Sequence, residues 1–116
     1  MNLPNAESAV VERDKIVDYL LNPGHPDNGG KAPFFLTAGF NPERWQELAE
    51  ALRHAAALFP ISKSMASPHG TKYILDGELQ TPSGRSPRVR TVWIIDVGSE
   101  NPRLITPIRG KPKRTS

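Results

Sequence analysis

Arg88 to Val97 reads RVRTVWIIDV, and its reading decides the fold. Val89, Thr91, Val92, Trp93, Ile94 and Ile95 make it the most strand-prone segment of the chain, because branched and aromatic side chains pack well on a pleated surface. Apolar residues occupy both faces, which places this strand in the middle of a sheet. Working upstream, Lys72 to Gln80 alternates, with Tyr73, Leu75 and Leu79 on one side and Lys72, Asp76, Glu78 and Gln80 on the other. Thr81-Pro82-Ser83-Gly84 is turn chemistry, and Arg85 to Pro87 leads into the central strand. Downstream, Gly98 to Pro102 turns the chain again and Arg103 to Ile108 forms a third strand, whose Pro107 marks a sheet edge.

The N-terminal half changes period from two to about 3.6. Ile16, Val17, Leu20 and Leu21 predict an amphipathic helix of about three turns from Glu12, stopped by Asn22 and Pro23. Lys31-Ala32-Pro33 opens a second helical segment through Phe34, Phe35, Leu36 and Ala38, with Gly39 at the C-cap position. Asn41-Pro42-Glu43 is the best helix start in the chain, and Trp45, Leu48, Leu52, Ala55 and Phe59 follow at helical spacing up to Pro60. Trp45 is assigned to the core and His54 to no role. Residues 1–11 read as an edge strand or a lead-in coil, and Ile61 to Gly70, ISKSMASPHG, as a loop. The expectation is an α+β domain over residues 1–109, with N-terminal helices on one face of a three- to four-stranded antiparallel meander. A flexible basic tail follows at 110–116.

A chain of 116 residues without cysteine is one domain with no disulfide or thiolate metal site. No apolar run approaches the roughly 18 residues a membrane span needs, and the N-terminus lacks a signal-peptide pattern. A soluble cytoplasmic protein with no membrane association is expected. The net charge of +3 conceals an asymmetry: residues 1–58 sum to −3 and residues 59–116 to +6. The second half is where a polyanion is attracted.

Leu21 to Phe35, LNPGHPDNGGKAPFF, is a stretch that no single helix or strand can absorb, and it carries His25 and Lys31. Loops of this kind commonly carry function. Lys31 stands beside the free N–H groups of a helix start, a combination that suits phosphate. Three histidines, no cysteine and no acids at ligand spacing argue against metal, and neither a serine-nucleophile motif nor a nucleotide-binding glycine motif is present. The dispersed His, Lys, Arg and Thr suit metal-independent, cofactor-free cleavage of RNA, in which the substrate's own 2′-OH attacks phosphorus. Such a reaction needs a group titrating near neutrality, met by His25, and cations on the phosphate, met by Lys31 and Arg90. Alternation puts Arg88, Arg90, Val92 and Ile94 on one face of the central strand and Val89, Thr91, Trp93 and Ile95 on the other. Arg90 and Thr91 therefore share a cleft only if a bulge intervenes, and Thr106 on the third strand is a further candidate hydroxyl.

The order of YLLNPGHP (19–26), GGKAPFF (29–35), RVRTVWIIDVG (88–98) and PRLITPI (102–108) resembles a bacterial family of small domains of unknown function found in toxin contexts. More distantly it is similar to the barnase, EndoU, colicin D and RelE group of ribonuclease toxins, which place helices before a four-stranded antiparallel sheet. The resemblance implies catalytic roles for His25 and Lys31, with Thr91, Arg90 or Thr106 contributed by the strands. It also implies an RNA substrate and a cognate antitoxin, small and acidic to suit the basic half. With three strands evident, the fourth has to come from the N-terminus or be absent. The function expected is an endoribonuclease toxin acting on tRNA or other cellular RNA. The alternatives are a non-catalytic protein-binding module, such as an inhibitor or assembly domain, and RNA binding without cleavage.

Overall fold

A computed structural model describes residues 2–22, 24 and 31–109; at residues 31 and 106–109 the backbone alone is described. The sheet holds four antiparallel strands in the order β1-β2-β3-β4: Ile61–Ser67, Gly70–Glu78, Arg88–Asp96 and Arg103–Arg109. The three strands read from the sequence are β2, β3 and β4, with β3 flanked on both sides and Pro107 on an edge strand. The fourth is β1, inside the stretch expected to be a loop. Its register against β2 runs from Ile61↔Leu75 to Ser67↔Gly70, with a bulge between Ile61 and Lys63. The segment reads as loop because an edge strand exposed along nearly its whole length has no apolar alternation to reveal it. The N-terminal residues add no full strand. Val10 makes one parallel bridge to Arg103, donating its N–H to the Pro102 carbonyl at 2.8 Å and accepting from Leu104 N–H at 3.0 Å.

The helices cover one face of this sheet. The first runs from Arg13–Lys15 (α1) into a π-helical stretch, Ile16–Leu20, closed by Leu21 N–H donating to the Ile16 carbonyl at 2.8 Å. It is shorter than the three turns expected. The wider turn lets Ile16, Leu20 and Leu21 all bury, where uniform α-helical spacing would turn one of the adjacent leucines outward. Lys31–Thr37 (α2) ends as predicted at Gly39, whose φ of 101° is left-handed. Phe40 N–H donates to the Phe35 carbonyl at 3.1 Å and Gly39 N–H to the Leu36 carbonyl at 3.0 Å, and the Phe35 and Phe40 rings meet edge-on at 6.2 Å. This is the six-to-one and five-to-two closure with its apolar contact.

A 3-10 turn, Pro42–Arg44, leads into Trp45–Leu58 (α3), and the Asn41 side chain accepts from Glu43 N–H at 2.8 Å. Leu48, Leu52, Ala55 and Phe59 from the α3 segment form one core with Leu75 and Leu79 of the β2 segment, Val89 and Trp93 of β3 and Leu104 of β4. Trp45 packs against that core, partly buried, as its periodicity predicted. Phe59 fits over Gly77, where a Cβ would lie 2.5–2.6 Å from three ring carbons, so glycine in mid-strand is a packing requirement.

Candidate functional site

The sheet has one covered and one open face, and the register assigns every strand residue to one of them. Val89, Thr91 and Trp93 point into the core, while Arg88, Arg90, Val92 and Ile94 occupy the opposite face. Across β2 that open face continues through Lys72, Ile74, Asp76 and Glu78, and across β1 through Lys63 and Met65. Ile94 is buried there, with Lys72 and Arg103 as its cross-strand partners.

Arg90 stands directly opposite Asp76 and is clamped by it. Its Nε donates to Asp76 Oδ1 at 2.8 Å and its Nη2 to Oδ2 at 3.1 Å, a fork on a carboxylate side chain that is 14% exposed. The Arg90 bond holds the Asp76 carboxyl below its ordinary value; burial opposes this and the Ser62 side chain reinforces it. The guanidinium keeps three N–H donors, with 42% of its side chain exposed. A second fork joins Arg103 to Asp96 at 2.8 and 3.1 Å, and lowers the Asp96 pKa in the same way. Lys63, Lys72 and Arg88 have no ion-pair partner among the described residues, so the open face carries a net positive charge.

The candidate residues separate accordingly. Arg90 is on the open face. Thr91 is fully buried, and its Oγ1 accepts the indole N–H of Trp93 at 2.9 Å. Strand alternation thus turns Thr91 away from Arg90; the bulge in β3–β4 lies beyond it, between Val92 and Trp93. Thr106 is the β4 residue paired with Val92, immediately at that bulge. Lys31 is the first residue of α2. His25 lies outside the described residues, as does the tail expected at 110–116. The sequence reading missed Asp76 as the partner of Arg90. Counting back along an antiparallel pair finds it only once the register across the 79–87 connection is known. Among the described residues no group of three His, Asp or Glu side chains is placed to hold a metal ion, and no helix is long and apolar enough to cross a membrane.

A family model described as a domain of unknown function, DUF6883, matches residues 2–111. No curated protein matches the chain. Among solved structures, the chain is similar to one in a contact-dependent growth inhibition toxin–immunity protein complex from Klebsiella pneumoniae 342. The TM-score is 0.70 at 22% identity, over 87% of this chain and 99% of that one. That likeness establishes a shared fold.

Proposed function

The chain belongs to the DUF6883 family of domains of unknown function, and we propose that it is the toxin of a toxin–inhibitor pair, a metal-independent endoribonuclease acting on tRNA or other cellular RNA. The observation that carries this reading is the open sheet face: Lys63, Lys72 and Arg88, with no ion-pair partner among the described residues, stand beside an arginine that Asp76 holds in one orientation. A cationic, pre-oriented surface of this kind attracts a phosphodiester and lowers the cost of positioning it. In this reading Arg90 contacts the scissile phosphate with the donors Asp76 leaves free, and Lys31, which begins α2 on the helix-covered side of the sheet, adds a second positive charge at the β4 edge. His25 takes the proton of the 2′-OH as that oxygen attacks phosphorus, and the proton is returned to the departing 5′-oxygen. Thr106 is the candidate hydroxyl. The partner is a small acidic inhibitor that covers the basic face.

The likeness to a chain of a toxin–immunity complex supports a place in such a system. It equally favours a second reading, a non-catalytic binding module, since that complex contains an immunity protein as well as a toxin. Tightly controlled expression of the native chain beside His25→Ala, Lys31→Ala and Arg90→Ala separates the two. The nuclease reading expects growth arrest and fragmented RNA from the native chain, with cleavage falling about a hundredfold or more in His25→Ala. Equal growth and equal RNA patterns in all four strains overturn it, and tight inhibitor-like binding indifferent to His25→Ala then supports the binding module.

A further inference from the structure

Along the flank of α3, beside its core-packing stripe and sharing Ala55 and Phe59 with it, lies a groove of about 570 Å³, walled by α3 and by the chain leaving β2. Its floor is apolar: Phe40, Ala51, Ala55, Phe59, Leu79 and Pro82. Leu58 stands at its rim with 71% of its surface exposed. The charged lining is of one sign. Glu47 and Glu50 enter from α3 and Glu78 from the end of β2, with His54 beside them and no lysine or arginine lining the groove among the described residues. Arg44 and Arg53 pair with Glu47 at 3.9 Å and Glu50 at 3.0 Å from outside the groove. These are exposed pairs of the kind that contributes little, and Glu78 has no ion-pair partner among the described residues.

We propose that this groove is a docking site for a protein segment that presents an apolar side chain flanked by lysine or arginine. The apolar floor supplies the anchor pocket, and the three carboxylates select a cationic rim and repel phosphate. The protruding Leu58 favours a protein occupant over a small molecule, because a side chain standing outside the pocket is buried only by a partner that extends past it. The site is lined by different residues from the open face, apart from Glu78, and carries the opposite charge. It therefore serves a different ligand class from the basic face, and the inference stands whether or not that face cleaves RNA.

The test uses the full chain, isotope-labelled, titrated with a short amphipathic peptide of leucine and lysine and with its leucine–glutamate counterpart. Amide shifts are expected at Ala51, His54, Leu58 and Leu79 to Thr81, with salt-sensitive binding of the lysine peptide alone. Glu50→Gln with Glu78→Gln, and separately Leu58→Ser, are expected to weaken that binding about tenfold. All three positions are solvent-exposed, so thermal unfolding of the variants is expected to match that of the native chain. Equal binding of the glutamate peptide, shifts confined to the β3 open face, unchanged affinity in the variants, or no binding at all would each overturn the proposal.

Discussion

Thr91 and Arg90 are adjacent in the chain and opposite in circumstance. The Thr91 hydroxyl is enclosed in the core as the acceptor for Trp93, also fully buried, so its measurable contribution is to stability. Thr91→Val keeps the shape and leaves a buried indole N–H without an acceptor, which costs about 1–3 kcal/mol. Urea unfolding is expected to show that loss, while any RNA cleavage per folded molecule stays at the native level. A stability-neutral Thr91→Val with lost cleavage would instead return Thr91 to the site. Arg90 is held by a partner that the residue alone does not announce. A cation that reads from the sequence as free is already clamped on one edge, and only its remaining donors are open to a ligand.

At the scale of elements, the joints of the fold are where local chemistry and packing agree. The α2 end was legible because Gly39 follows an apolar helical run, and it closes as that pattern demands. Gly39→Ala is strained twice: its φ of 101° is disfavoured for alanine, and a Cβ would come within 3.1 Å of Pro82 Cβ and Ser83 N. A loss of about 1–2 kcal/mol is expected by thermal or urea unfolding. An unchanged midpoint would show that the α2 terminus relaxes at no cost. The first helix was legible in place but not in kind, because the choice of a π-turn depends on burying Leu20 and Leu21 together against elements far along the chain.

Across the whole molecule, charge is divided between a basic sheet face and a groove lined by acids, and two carboxylate–arginine forks lock neighbouring strands. Both Asp76 and Asp96 have folded-state pKa values below their unfolded ones. Each therefore adds stability that is fully present above the unfolded aspartate value, about 3.9, and is lost as pH falls through the depressed folded value. Unfolding midpoints measured from neutral pH downward are expected to drop on this acid limb. Asp76→Asn with Asp96→Asn is expected to lower the neutral-pH midpoint and shrink that limb, and an unaltered acid limb would refute the assignment.

The sequence by itself determined the α+β class, the order of helices before strands, three of the four strands, the Asn41 and Gly39 caps and the central place of β3. Each of these is written in local propensity or in the periodicity of apolar burial. It also singled out Arg90 on a face opposite Thr91, since alternation follows from the backbone alone. Only the tertiary structure decided that Ile61–Ser67 is the fourth strand, that Arg90 is paired with Asp76, which sheet face stays open, and that α3 and the β2 end enclose a groove. The physical reason is shared. An exposed edge strand has no burial pattern to record, and the identity of a cross-strand or cross-groove partner depends on register and packing between segments that the linear sequence keeps apart.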